Sequence, residues 1–118
     1  MSYDIDLVDP VTKETINLPE NHMVVGGTYA VGGTTELHLN VTYNYHHVFV
    51  GVLGNKGIRS IYGMTGADSV PVLQAAADRL GDDVVDDYWQ PTEGNAKRAI
   101  LGLLSFARLR PDGIWQGD

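Results

Sequence analysis

The chain has 118 residues, 43% of them hydrophobic, which suffices for one compact domain over residues 1–118 with a single core. It contains no cysteine, so disulfides, thiolate zinc sites and cysteine nucleophiles are excluded. The formal charge of −7, from 15 acidic and 8 basic residues, argues against direct nucleic-acid binding. It favours a partner with a basic surface; the alternative is that the charge only keeps the protein soluble.

The sequence carries no pattern for membrane insertion or export. No stretch approaches the ~20 apolar residues that span a bilayer. The segment MSYDIDLVDP also lacks the basic region and apolar run of a secretion signal. We therefore expect no membrane association and a cytoplasmic location, which the absence of cysteine suits.

The first part of the chain has the periodicity of β-structure. Tyr3, Ile5 and Leu7 alternate with aspartates, and TINL follows a turn, which predicts an N-terminal β-hairpin. The glycine-rich stretch 26–36 predicts a loop, either a lid or a simple connection. Strict alternation of apolar and polar residues over 36–44 predicts the clearest strand of the chain.

Two more strands are predicted after this one. VFVGVL (48–53) is apolar on both faces, which is typical of a central strand. GNKG (54–57) then predicts a turn into a further antiparallel strand, IRSIYGM (58–64).

From residue 65 onward the apolar period becomes helical. A first helix is predicted with Asp68 or Ser69 as its cap, Pro71 in its first turn and Gly81 as its stop. A second helix is predicted over about residues 93–109, where apolar residues follow the i, i+3, i+4, i+7 pattern. Trp115 is expected to pack back onto the domain as an anchor.

These elements together predict an α+β fold. We expect an antiparallel sheet of four to five strands with two helices packed on one face. No repeat, linker or low-complexity tract divides the chain, in agreement with a single domain.

The start of the second helix is the main candidate for a ligand site. Thr92 can cap this helix, which leaves main-chain amides exposed at the positive end of its dipole. Gly94 would let a phosphate or carboxylate approach closely, and Asn95 offers a side-chain amide. Tyr88 and Trp89, just upstream, could stack on a base. The alternative is a capped helix whose preceding aromatics lie in the core.

Two basic residues could complete such an anion site from the predicted sheet. Arg59 is favoured over Lys56 because its planar guanidinium matches a phosphate or carboxylate. The alternative is ordinary surface pairing with the abundant acidic residues.

The remaining polar clusters predict neither a metal site nor a catalytic one. Glu36 and His38 share one strand face, but no second pair completes a zinc site, and we predict no cofactor. DDVVDD (82–87) lacks the glycine and distal glutamate of a calcium loop and favours a solvated connection. Because no hydrolase or phosphate-loop motif occurs, we predict that the protein is not an enzyme; acid–base chemistry at Glu36 and His38 stays the last alternative.

Four segments carry a resemblance to a known group of proteins. NVTYNY (40–45), KGIRSIYG (56–63), DDYWQPTEGNAKRA (86–99) and RPDGIWQGD (110–118) resemble small accessory proteins of tailed phages and prophages, a group of unknown function. The similarity covers most of the chain after Thr28. It implies a protein made in the cytoplasm of an infected bacterium, where such accessory proteins often blunt host defence.

Two functions of different class follow as hypotheses. The first is a non-enzymatic protein that inhibits a host defence system by binding a host protein through its acidic and aromatic features. The second is a small-molecule sponge, in which the helix start and Arg59 hold a phosphorylated, nucleotide-like ligand. A homodimer stays open as well, because a second copy could cover a sheet edge and Trp115.

Overall fold

The computed structural model describes residues 1–25 and 28–118 and has an α+β fold, as predicted. Its elements in chain order are β1 (Ser2–Val8), β2 (Asn17–Val25), β3 (Thr28–Glu36), β4 (His38–Thr42), α1 (His46–Leu53), α2 (Gly66–Asp78), α3 (Glu93–Leu109) and β5 (Ile114–Gly117). Short 3₁₀ helices lie at Tyr43–Tyr45 and Gly57–Ile61. Within the part of the chain that is described, no helix is long and apolar enough to cross a membrane.

The strands form two antiparallel sheets. One has three strands in the order β4-β1-β5, and the other pairs β2 with β3. In the first sheet Ile5 lies opposite Leu39, and Leu7 lies opposite Trp115; all four side chains are fully buried. The strand predicted over 36–44 is confirmed for residues 38–42, which form β4 with its apolar face in the core, whereas residue 36 ends β3 and residues 43 and 44 belong to a 3₁₀ helix.

The predicted N-terminal hairpin does not extend along β1. The chain turns back at the bridge between Val8 and Thr15, and Ile16 N donates to Leu7 O at 3.0 Å. Beyond that point β1 is already paired with β4 on one side and β5 on the other, so β2 pairs with β3 instead. The predicted glycine-rich loop is also largely wrong, because its residues 28–36 form β3; residues 26 and 27 lie outside the described chain.

The strands predicted over 48–53 and 58–64 are not formed: the first lies in α1, and the second is replaced by the 3₁₀ helix at Gly57–Ile61 and a turn after it. Residues 46–53 form α1, which buries Phe49 in the core and leaves Val48 and Val52 half-buried. A short run that is apolar on both faces fits a buried strand and a packed helix equally well, and here the helix is formed. The predicted sheet of four to five strands with two helices thus becomes sheets of three and two strands with three helices.

The helices of the second half begin at threonine caps. Thr65 Oγ1 accepts from Asp68 N at 3.1 Å, so α2 starts earlier than the predicted caps Asp68 and Ser69, and it ends at Asp78 before Gly81. Helix α3 spans the predicted residues, and Thr92 is its cap, as expected. The two helices pack against each other.

Trp115 is the anchor that the sequence predicts. Its ring is fully buried, and its Nε1 donates to Ser69 Oγ of α2 at 2.8 Å. Ser69 Oγ in turn donates to Gly66 O at 2.8 Å, so the buried indole N–H and hydroxyl are both satisfied. This contact ties β5 to the helical part of the core.

Tyr62 provides a test of an unsatisfied polar group. Its hydroxyl oxygen is buried and has no hydrogen-bond partner among the described residues, and burial raises the pKa of Tyr62 from 10.0 to about 12. Since a phenol buried without a partner destabilises the fold, Tyr62→Phe should raise the free energy of unfolding by about 1 kcal/mol. Urea denaturation at neutral pH measures this change.

The matched substitution is Tyr45→Phe. The Tyr45 hydroxyl donates to Tyr88 O, so its removal should cost about 1 kcal/mol instead. Because the pKa of Tyr62 is higher in the folded protein than in the unfolded chain, ionisation of the phenol favours unfolding. The free energy of unfolding of the wild type should therefore fall as the pH rises from about 10 to about 12, and it should fall less in Tyr62→Phe. A loss of stability in Tyr62→Phe at neutral pH would contradict the assignment of an unpaired hydroxyl.

Candidate functional site

The connection between α2 and α3 gathers most of the predicted site residues. Residues 81–92 form no helix or strand, and we call this segment the acidic loop because four of its twelve residues are aspartates. It runs directly into the start of α3 at Glu93. The acidic loop is therefore built against the helix end that the sequence singles out.

The amides at the start of α3 bind groups of the protein itself. Asp83 Oδ1 accepts from Gly94 N at 2.9 Å, and Thr92 Oγ1 accepts from Asn95 N at 3.1 Å. Glu93 Oε1 reaches back to Gly81 N at 2.9 Å. The carboxylate of Asp83 thus occupies the position where an external phosphate or carboxylate would meet the helix dipole.

Asn95 holds the acidic loop with its side-chain amide. The residue is only 5% exposed; its Oδ1 accepts from Val85 N at 3.0 Å, and its Nδ2 donates to Asp87 O at 3.1 Å and to Gln90 O at 3.0 Å. One buried amide therefore satisfies three main-chain groups of a segment that lacks a backbone ladder of its own. The amide is committed to the loop and is not available to a base or sugar.

Gly94 serves the same loop. A Cβ at this position would lie 2.5 Å from Val84 N and 2.6 Å from main-chain atoms of Asp83, which is closer than real Cβ atoms come. The absence of a side chain lets the acidic loop cross directly over the helix start. The close approach that the sequence suggests at Gly94 is thus made by the protein's own backbone.

Tyr88 is part of the body of the domain. Its hydroxyl accepts from Thr42 N at 2.9 Å and donates to Asn40 O at 3.3 Å, which joins the loop to β4. The pKa of the Tyr88 phenol is raised, because burial raises it more than the hydrogen bond from Thr42 lowers it. The ring also meets Tyr45 edge-on at 5.6 Å between centroids, so its stacking surface is already in use.

Trp89 is the exposed aromatic of the acidic loop. Its side chain is 57% exposed, although its main chain is held: Asn44 Nδ2 donates to Trp89 O at 2.9 Å, and Trp89 N donates to Asp87 Oδ1 at 3.1 Å. Tyr88 supports the indole from one side, with ring centroids 5.1 Å apart. The loop thus presents a large apolar side chain from a fixed backbone position.

Arg59 lies in a different cluster from the other five predicted site residues. It belongs to the 3₁₀ helix at residues 57–61, and its Nε donates to Asp118 O at 2.7 Å. Its guanidinium lies over the ring of Tyr3, 5.0 Å from the centroid. Lys56, the other candidate base, is exposed beside that 3₁₀ helix. The structure therefore brings Tyr88, Trp89, Thr92, Gly94 and Asn95 together. Arg59 instead lines a separate pocket with Tyr3, Tyr43 and His46, which the sequence did not indicate as members of one site.

His38 pairs with the neighbouring strand. Its Nδ1 lies 2.7 Å from Asp6 Oδ1, and its Nε2 lies 3.6 Å from Asp4 Oδ1. Glu36 is exposed at the end of β3. Over residues 1–25 and 28–118, no group of three or more histidine and acidic side chains is placed to hold a metal ion.

The acidic loop therefore carries exposed carboxylates and an exposed indole on a backbone that is held by hydrogen bonds. Val84 adds apolar area at 44% exposure, and Lys97 Nζ pairs with Asp82 Oδ1 at 2.7 Å. The other acidic groups of the loop surface are the exposed Asp86 and Asp87.

Comparisons with protein-family models, curated proteins and solved structures find no match to this chain.

Proposed function

We propose that this chain is a non-enzymatic binding protein whose acidic loop docks onto a basic surface of another protein. The observation that carries the proposal is the exposed Trp89 on a loop whose backbone is held by the buried Asn95. Tryptophan is among the residues that most often dominate the free energy of protein–protein association.

The fixed backbone of the acidic loop supports binding because ordering a loop costs free energy. A segment that is already held in one conformation by hydrogen bonds loses little further freedom on association. Three of those bonds come from Asn95, one from the contact between Asp83 and Gly94, and one from Asn44 to Trp89 O.

Charge determines which partner surface fits. The exposed Asp86 and Asp87 lie between Val84 and Trp89 in the sequence, Asp82 is paired with Lys97, and the whole chain has a net charge of −7. Such a surface attracts a basic protein patch and repels nucleic acid. Association should therefore become slower as the salt concentration rises.

The resemblance to phage and prophage accessory proteins gives this binding activity a setting. We propose that the partner is a host defence protein and that the encounter takes place in the bacterial cytoplasm. An inhibitor of this kind needs a surface that occupies the target rather than a catalytic site. The acidic loop supplies such a surface.

The phosphate-sponge hypothesis has less support at the helix start. Asp83 already occupies the Gly94 amide, and Asn95 is committed to the loop carbonyls. A phosphate there would have to displace the carboxylate of Asp83, which belongs to the same chain and is therefore present at high effective concentration. We keep the protein partner as the proposed function.

Trp89→Ala should abolish capture of the partner. Capture is measured with immobilised protein and lysate of a phage-susceptible bacterium, with bound proteins identified by mass spectrometry. Because the indole is mostly exposed, the free energy of unfolding should change by no more than about 0.5 kcal/mol. The same lysate at higher salt should give slower association.

Leu109→Ala is the matched control, since Leu109 is also 57% exposed but lies at the end of α3. It should capture the partner as the wild type does. If no basic protein is enriched by the wild type over Trp89→Ala, or if Leu109→Ala loses capture equally, the acidic loop is not the docking surface.

A further inference from the structure

Four residues from four separate elements, none of them in the acidic loop, line an open cavity of about 360 Å³. Tyr3 lies on β1, Tyr43 begins the 3₁₀ helix after β4, His46 begins α1, and Arg59 lies on the second 3₁₀ helix. We call this cavity the aromatic pocket. Its volume falls in the range of roughly 300–1,000 Å³ that is usual for small-ligand sites.

The Arg59 guanidinium is held over the aromatic floor of the pocket. It lies 5.0 Å from the Tyr3 centroid and 5.8 Å from the Tyr43 centroid, and those two rings meet edge-on at 4.5 Å. Its Nε is fixed by the main-chain oxygen of Asp118 at 2.7 Å, and Nη2 lies 3.4 Å from the Tyr43 hydroxyl. The terminal nitrogens keep further N–H donors for a ligand, in the fork that suits two oxygens of one group.

His46 supplies a second donor. Its Nδ1 lies 2.8 Å from the Tyr3 hydroxyl, and its ring packs over Gly57, where a Cβ would come within 3.3 Å of Nδ1. When the phenol donates to Nδ1, a neutral imidazole carries its proton on Nε2. The ring is thus held by Tyr3 and Gly57 and can donate from its other nitrogen.

The charge of the lining selects for anions. In a chain with 15 acidic and 8 Lys and Arg residues, the four lining residues include an arginine and a histidine but no acid. The nearby Asp118 side chain accepts from Asp4 N and so faces the strand. One guanidinium charge in the lining matches a single negative charge better than two.

We propose that the aromatic pocket binds a small monoanionic aromatic carboxylate. The two carboxylate oxygens accept from Arg59 and His46, and the flat ring packs against Tyr43, the partly exposed tyrosine of the lining. This ligand site shares no residue with the acidic loop, and its proposal does not rest on the partner proposed for that loop.

The test is a titration of the ¹⁵N-labelled full chain with sodium benzoate, followed by NMR. Saturable shifts should centre on the Arg59 Nε–H and on the amides of Tyr3, Tyr43 and His46. Arg59→Gln should weaken benzoate binding at least tenfold, or about 1.4 kcal/mol. Arg108→Gln is the control, because Arg108 is likewise exposed and bonded to one side chain, Gln74, but lies on α3.

His46→Ala gives a second, exposed position to test and should also weaken binding. Cyclohexanecarboxylate and inorganic phosphate should bind more weakly than benzoate, since one lacks a flat ring and the other lacks any ring. No saturable shift up to about 10 mM benzoate would overturn the proposal. Equal affinity in Arg59→Gln and wild type, or equal affinity for phosphate and benzoate, would overturn it as well.

Discussion

Gly94→Ala is expected to lower the free energy of unfolding by about 3 kcal/mol, the upper end of the usual cost of overpacking. The added Cβ would lie within 2.6 Å of backbone atoms of Asp83 and Val84. The backbone of Asp83 and Val84 cannot move away without disturbing the hydrogen bond from Gly94 N to Asp83 or the one from Val85 N to Asn95. The methyl group should therefore displace the acidic loop, and with it the position of Trp89. Urea denaturation followed by tryptophan fluorescence measures both effects.

Gly51→Ala is the control for this substitution. Gly51 lies inside α1, where an added Cβ meets nothing within 4 Å. Alanine there should stabilise the protein by about 0.5–1 kcal/mol, because glycine carries an entropic cost in a helix. If Gly94→Ala falls within about 0.5 kcal/mol of the wild type, the acidic loop does not rest on the helix start.

The same pair of substitutions bears on the proposed function. Because Gly94→Ala moves the loop without removing any exposed side chain, it should weaken capture of the protein partner, whereas Gly51→Ala should leave capture unchanged. Normal capture by Gly94→Ala would mean that the conformation of the loop does not matter for binding. Trp89 would then act as a single flexible contact.

Local signals predicted the parts of the fold that depend on neighbours in the sequence. The threonine cap and the apolar period of α3 were sufficient to place its start and end, since both are set within a few residues. Strict alternation likewise placed β4. In contrast, VFVGVL could not be assigned from its own residues, because burial on two faces does not distinguish a strand from a helix.

Sheet pairing depends on contacts that no local pattern contains. The partners of β1 are β4 and β5, and β5 follows it by more than one hundred residues. The turn after β1 has the sequence pattern of a hairpin, but β2 pairs with β3 because β1 is already paired with a strand on each side. The single predicted sheet therefore divides into two.

Closeness in the sequence predicted which candidate residues lie together, but not which groups they bind. The aromatic residues, the cap, Gly94 and Asn95 do lie together, as their closeness in the sequence requires. The hydrogen bonds of Gly94 and of the Asn95 side chain go to residues 83–90, however, and the spacing of residue types does not reveal that the Gly94 amide will be filled by an aspartate eleven residues before it. The aromatic pocket lay beyond sequence reasoning altogether, because Tyr3 and Arg59 come from distant segments.

Asn95→Asp separates the shape of the Asn95 side chain from its hydrogen-bond donors. The aspartate can still accept from Val85 N, but it cannot donate to Asp87 O and Gln90 O, and its charge would be buried among other acids. Losing two donors and burying a carboxylate should lower the free energy of unfolding by about 3 kcal/mol at pH 7.

The pH dependence of this loss identifies its cause. Burial and neighbouring carboxylates raise the pKa of the introduced carboxyl above its unfolded value, so the neutral form is the one that the fold tolerates. The penalty is therefore full at pH 7 and shrinks as the pH falls toward about 4, where the carboxyl is protonated and regains one donor in the folded state and is about half protonated in the unfolded chain. Urea denaturation of variant and wild type at both pH values measures the difference.

Asn44→Asp completes the comparison, because Asn44 also donates its side-chain amide to the loop, at Trp89 O, but is exposed. Water can replace that donor and solvate the new charge, so the loss should stay below about 1 kcal/mol at either pH. Equal losses at positions 44 and 95, or a loss at position 95 that does not change with pH, would mean that the buried amide is not what holds the acidic loop. A large, pH-dependent loss confined to position 95 would show that one buried side chain positions the surface that we propose binds the partner.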